Sequence, residues 1–144
     1  MEHNYRHESR FTQVLDQVIT PWKEDVLSKK ETTISAFNFM AIERICNYLD
    51  IKTELCKTSV GITNAKFDVG LKEIVKHFGE THYVNAIGGQ SLYYKDNFQS
   101  DGVTLSFIKM SKLDFENQYA SILDILFTYD ISHIKTQLNK FELV

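Results

Sequence analysis

Tyr83-Val84-Asn85-Ala86-Ile87-Gly88-Gly89-Gln90-Ser91 is the stretch that decides the fold class. Tyr83 to Ile87 is an apolar run of strand length that stops at two consecutive glycines. The residues from Gln90 to Gln99 predict a helix leading to a turn at Asp101-Gly102. Upstream, Phe67, Leu71, Ile74, Val75 and Phe78 recur at helical spacing, and Gly79 supplies the left-handed residue that ends such a helix. Downstream, Val103, Leu105 and Phe107 alternate with polar neighbours through Lys109, the pattern of a half-buried strand.

Further outward, Ile51 to Cys56 also alternates and reads as a strand, followed by a polar loop from Lys57 to Lys66. Strand, helix, strand, helix, strand predicts parallel pairing through right-handed crossovers. The first fifty residues read as helical. Phe11, Val14, Leu15 and Val18 mark one face, and Thr20-Pro21 predicts a cap and first turn. A second helix or kinked continuation follows through Trp22, Val26 and Leu27. After a capping turn between Thr32 and Ser35, Phe37, Ala41, Ile45 and Tyr48 predict a helix ending near Leu49. The tail predicts helices over Ser121–Phe127 and Ile131–Phe141. The expectation is a single α/β domain over residues 1–144. It is a small layered structure with a short, mostly parallel sheet of about three strands and flanking helices at both ends. Its parts are residues 1–50, mostly helical, then 51–109, alternating strands and helices, then 110–144, helical.

Composition excludes several function classes. With 43% apolar and 24% charged residues, the chain is made to bury a core. A net charge of −3 and no basic stripe argue against nucleic acid as a partner. No leader-like apolar segment opens the chain, and no apolar run nears the roughly 20 residues of a membrane span, so a cytoplasmic location is expected. Cys46 and Cys56 show no zinc-like spacing and read as two small buried thiols.

The Gly88-Gly89 turn is the leading ligand candidate. Two residues without Cβ let backbone amides approach an anion closely, and a helix start beyond them adds partial positive charge. Gln90 and Ser91 add hydrogen-bonding side chains, and Tyr83 and Asn85 lie on one side of the strand that leads in. The alternative is a tight turn that binds nothing, with Tyr83 in the core. His82, just before that strand, is the candidate acid or base. Ser121 and Asp124 have capping-box spacing, although they also pair a hydroxyl with a carboxylate. His3 and His7 are four apart but lack a third metal ligand nearby. His77 suits a helix C-terminus, and Cys56 beside Lys57 is a further nucleophile candidate. No metal is expected, and the residues specify no cofactor.

A resemblance rests on Asn38, on Ile45-Cys46-Asn47-Tyr48-Leu49-Asp50-Ile51 and on Thr58-Ser59. It continues through Tyr83 to Tyr93, then Phe98, Gly102 and Phe107, and closes on Ser121-Ile122-Leu123-Asp124-Ile125-Leu126-Phe127. From about Phe37 onward the chain resembles the WbqC-like proteins encoded in bacterial O-antigen and related polysaccharide clusters. The resemblance implies a cytoplasmic role in building or decorating a surface sugar, by transfer of a small amino-acyl or acyl group to an amino sugar. The implied partners are a nucleotide-linked sugar or a sugar acceptor, and a homo-oligomer is a further expectation. In that role Gly88 and Gly89 hold an anionic group, Tyr83 and Asn85 shape the pocket, His82 transfers a proton, and Ser121 and Asp124 position. The family's asparagine/arginine-rich first part is not visible here, which implies a missing N-terminal portion of the domain. A non-catalytic binding or scaffold module is the alternative.

Overall fold

A computed structural model of the chain describes residues 10–28, 33–56, 62 and 64–144. The elements are α1 (Phe11–Val14), a π-helical turn (Leu15–Ile19), α2 (Thr20–Ser28), α3 (Ile34–Tyr48), α4 (Phe67–His77), β1 (His82–Ala86), a 3-10 turn (Ile87–Gly89), α5 (Lys95–Gln99), β2 (Thr104–Met110), α6 (Ile122–Thr128), α7 (Ile131–Leu138) and β3 (Phe141–Leu143). They form two compact units. Among the described residues, one takes in those within 1–57 and 114–139, and the other those within 58–113 and 140–144. With helices and a three-stranded sheet, the chain is a small α/β protein, as its patterning predicts.

The first unit is helical. Its core is Val14, Val18, Leu49, Ile125, Leu126, Phe127 and Ile134, with Phe11 stacked on Phe127 at 5.7 Å. Thr20 has helical dihedrals, so it does not cap a new helix. The chain instead runs on from α1 through the π turn into α2. The wide turn lies just before Pro21, whose ring would crowd a carbonyl one turn back and whose nitrogen has no hydrogen to donate. Thr33 caps α3 by accepting from the Ala36 amide at 3.1 Å. At the other end of α3, Asp50 takes the left-handed conformation (φ 55°) and the Ile51 amide returns to the Cys46 carbonyl at 2.8 Å. One buried polar side chain, Gln137, is satisfied because its Oε1 accepts from the Asp114 amide at 2.8 Å. His133 stacks on Tyr129 at 5.2 Å, and its Nε2 bonds the Asp114 carbonyl at 3.0 Å, so the 114–116 segment is pinned to α7.

The second unit is a sheet of order β1-β2-β3. β1 and β2 are parallel, with Tyr83 opposite Leu105 and Asn85 opposite Phe107. β3 is antiparallel to β2, with Leu143 opposite Ile108 and Phe141 opposite Met110. The core consists of Val75, Phe98, Val103, Leu105 and Phe107, joined by half-buried Leu71, Tyr83, Tyr93 and Val144. α4 ends as the glycine predicts. Gly79 has φ 71°, its amide bonds the Lys76 carbonyl at 3.0 Å, and the Glu80 amide bonds that of Val75 at 3.0 Å.

Three expectations change. Ile51 to Cys56 is not a strand. Ile51 packs on the helical core of the first unit, whereas Lys52, Thr53 and Glu54 are all exposed, so the alternation in residue type corresponds to no buried strand face. The third strand is Phe141–Leu143, because α7 stops at Leu138 instead of continuing to Phe141. The strand is three residues long, too short to show a period. The helix expected from Gln90 shrinks to Lys95–Gln99, since the Gln90 and Leu92 amides are spent closing the preceding turn on the Ile87 and Gly89 carbonyls and Tyr94 is extended. The sheet is therefore mixed, and β1 is an edge strand with alternate residues exposed.

Candidate functional site

Alternation along β1 sorts the candidate residues. Tyr83 and Asn85 are half-buried and share one face, whereas His82, Val84 and Ala86 are exposed on the other. The Tyr83 ring stacks on Phe98 with centroids 6.0 Å apart and planes within 6°. Burial, reinforced by nearby Tyr93, pushes its phenol above the ordinary tyrosine value, so it stays protonated.

Asn85 ends that inward face. Its Oδ1 accepts from the Ala86 amide at 2.8 Å, and its amide group lies over Gly89. A Cβ on Gly89 would sit 2.6 Å from Asn85 Nδ2, so a side chain there would force the asparagine tip to shift. Gly88 differs. A Cβ would meet nothing within 4 Å, and its φ is outside the left-handed range. Neither packing nor backbone conformation requires glycine at 88. The turn is closed by the Gln90 amide on the Ile87 carbonyl at 3.1 Å and the Leu92 amide on the Gly89 carbonyl at 2.9 Å, with Gly88, Gln90 and Ser91 exposed. The structure thus gathers Tyr83, Asn85, Gly88, Gly89, Gln90 and Ser91 along one strand end and its turn. No helix start stands directly behind the glycines.

The chain beyond the turn forms a wall of a shallow cavity of about 200 Å³, lined by Phe67, Asp68, Leu92, Tyr93, Tyr94 and Asn97. Phe67 opens α4 with φ 56°, a conformation that a bulky residue adopts only at a cost, and its ring is 80% exposed. Lys72 lies beside this cavity. Its Nζ pairs with Asp101 at 2.5 Å and Asp68 at 3.7 Å, donates to the Asn97 carbonyl at 3.2 Å and sits 5.7 Å over the Phe98 ring. The hydrogen bond from Lys72 holds the Asp101 carboxyl below its ordinary value, and the same bond raises the Lys72 ammonium above its own.

His82 leaves the opposite sheet face, exposed, with Nε2 2.9 Å from Ser106 Oγ. The two residues are diagonal neighbours across the parallel pair, His82 standing opposite Thr104 and Ser106 opposite Val84. Sequence reading missed Ser106. It is a half-buried polar residue of β2, and only the β1–β2 register brings it to His82. The cavity residues were missed as well, because Phe67 reads as the first core position of α4 yet faces solvent.

Ser121 and Asp124 belong to the other unit. Ser121 is the N-cap of α6, its Oγ accepting from the Leu123 amide at 3.3 Å. Asp124, in the first turn, lines a separate cavity of about 210 Å³ with Glu116, Asn117 and Tyr129 among others. His77 lies in the last turn of α4, edge-on to Phe78 at 5.2 Å. Cys46 is half-buried and Cys56 exposed, which corrects the expectation of two buried thiols. Cys56 lies in a segment without regular structure instead of inside a sheet. His3, His7 and Lys57 lie outside the described residues. No helix among the described residues is long and apolar enough to cross a membrane.

The family model described as the WbqC-like protein family matches residues 1–136, a wider span than the resemblance from Phe37 onward. No curated protein and no solved structure matches the chain. With that match spanning nearly all of its length, the chain belongs to the WbqC-like protein family.

Proposed function

We propose that this protein acts in bacterial O-antigen or related surface-polysaccharide biosynthesis, on the cytoplasmic side, by binding a nucleotide-linked sugar or a sugar acceptor at the Ile87–Gly89 turn. Family membership supports the association with polysaccharide biosynthesis. The observation that carries the site is Gly88, an exposed glycine at the carboxyl end of β1 that neither crowding nor backbone conformation explains. A ligand lying against the backbone gives a physical reason for having no side chain there, and the rival is a turn that binds nothing. In this reading the backbone at Gly88 and Gly89 meets the anionic group and Gln90 and Ser91 bond its periphery. Asn85 fixes the turn from below, and Tyr83 anchors Asn85's strand to Phe98.

The finer proposal is transfer of a small amino-acyl or acyl group to an amino sugar, with His82, held by Ser106, as the proton-transfer group. A second reading, a non-catalytic binding or scaffold module, is favoured by one observation: His82 leaves β1 on the face opposite Asn85. His82→Ala separates the two. A transferase loses turnover while keeping its ligand, and a binding module keeps its ligand and its partner unchanged.

The site itself is tested by a thermal-shift screen of nucleotide sugars, free nucleotides, phosphate and sulfate against wild type and Gly88→Ala. A ligand that binds only the folded chain at a hundredfold excess over its Kd adds about 2.7 kcal/mol. A shift with nucleotide sugars that disappears in Gly88→Ala supports the turn. The absence of any shift at high ligand concentration rejects it.

A further inference from the structure

We infer that the cleft between the start of α4 and the Leu92–Asn97 segment is a saccharide subsite. The inference deepens the reading of the glycine turn and rests on its ligand being sugar-linked. Phe67 is 80% exposed, Leu92 69% and Tyr94 69%. Single exposed apolar side chains are ordinary on a protein surface. Three around one concavity that also presents a carboxylate and an amide form the combination found in small-molecule sites.

A sugar ring has matching chemistry. One face of a pyranose is a patch of C–H bonds that packs on an aromatic ring, and its rim carries hydroxyls that both donate and accept. Phe67 and Tyr94 supply the aromatic surfaces. Asp68 supplies acceptors: Oδ1 receives the Val69 amide at 3.0 Å, and Oδ2 stands 3.7 Å from Lys72 Nζ. The Asn97 side-chain amide offers a donor and an acceptor and has no partner among the described residues, since only its backbone is engaged. Lys72 bonds the Asn97 carbonyl and pairs with Asp101, which fixes the wall carrying Asn97.

Size and position agree. The cavity, about 200 Å³, is smaller than the roughly 300–1,000 Å³ of sites that enclose drug-sized ligands, and it suits a single ring. It begins at Leu92, whose amide bonds the Gly89 carbonyl. The glycine turn and the cleft wall thus belong to one hydrogen-bonded stretch of chain, on which a phosphate and its attached sugar would bind in succession. Phe67 in its left-handed conformation is accounted for too, because that backbone holds an aromatic ring at the rim instead of in the core.

The test is saturation-transfer NMR with UDP-N-acetylglucosamine, N-acetylglucosamine and UDP as probes, on wild type, Tyr94→Ala, Asn97→Ala and Gly88→Ala. Tyr94 is an exposed ring, and only the backbone of Asn97 is engaged in the fold, so Asn97→Ala keeps the test alive if Tyr94→Ala misfolds. The expected result is saturation of the sugar-ring protons from aromatic protons, with affinity falling about tenfold in Tyr94→Ala, the scale of one lost aromatic contact. Asn97→Ala is expected to weaken sugar binding while UDP binding holds. If UDP binds, Gly88→Ala abolishes that binding and the sugar protons receive nothing, the subsite is wrong and the turn assignment survives. If sugar protons saturate in a Tyr94-dependent way while UDP does not bind, the subsite stands and the phosphate role of the turn falls. Silence from all three probes overturns both.

Discussion

Asn85 and Gly89 occupy one another's space: the Asn85 amide lies where a Gly89 side chain would start, its Nδ2 2.6 Å from that Cβ position. The same asparagine accepts the Ala86 amide at 2.8 Å, so it locks the end of β1 and the turn that follows. Gly89→Ala is expected to destabilise the fold by about 1 kcal/mol, the low end for overpacking because a side-chain tip can swing aside. In an Asn85→Ala background the same change should cost much less, and chemical denaturation of the four chains of this cycle measures the coupling. Equal costs in both backgrounds would show that Asn85 is not what excludes a side chain at 89.

Gly88→Ala should be close to neutral for stability, within about 0.5 kcal/mol, because its Cβ meets nothing within 4 Å. Urea denaturation of the variant checks this. A loss above about 1.5 kcal/mol would mean that a structural role has been overlooked, and ligand effects of the variant could not then be assigned to the turn.

Phe98 is fully buried, with Tyr83 stacked on it, Tyr93 edge-on at 6.2 Å and Lys72 above its ring. Phe98→Ala should cost about 3–5 kcal/mol. The hydrogen-exchange protection of β1 and β2 should fall with it. Protection unchanged at Tyr83 and Leu105 would contradict the packing described.

The Lys72–Asp101 pair predicts a pH dependence. Asp101 is held below the ordinary value of 3.8, so its contribution is present above that pH and is lost as pH falls through the lowered folded-state value. Lys72 is held above 10.5, so its part is complete below that pH and is lost as pH rises through the raised value. Asp101→Asn should therefore lower Tm at neutral pH, and the difference from wild type should vanish in strong acid. A difference independent of pH would assign the effect to packing.

Ser121→Ala should cost about 1 kcal/mol through the lost N-cap of α6, and Ser121→Asp should recover most of it. Were Ser121 a chemical participant, the aspartate variant would regain stability without regaining function.

Much of the fold was legible because its signals were local. The spacing of Phe67, Leu71, Ile74 and Val75 with Gly79, and the alternation of Leu105 and Phe107, each specify one element without reference to the rest. What depended on distant partners was not legible. Ile51 to Cys56 alternates like a strand, yet whether an alternating segment joins a ladder depends on an edge elsewhere in the chain. Phe141–Leu143 is too short to declare itself and is a strand only because β2 accepts it. The candidate site divides in the same way. The glycine turn was visible as a dipeptide after an apolar run, whereas the pairing of His82 with Ser106 required the β1–β2 register. Exposed Phe67 could not be read from a helical period, which marks it as core.

Calorimetric titration of UDP-N-acetylglucosamine into wild type and Gly88→Ala, at matched stability, decides whether the Gly88-Gly89 turn holds the ligand. Binding to wild type should be saturable and should weaken at least about tenfold in the variant, since an added methyl group blocks the ligand's approach to the turn without disturbing the fold. Equal affinity for both chains would contradict this and remove the Gly88-Gly89 turn from the site.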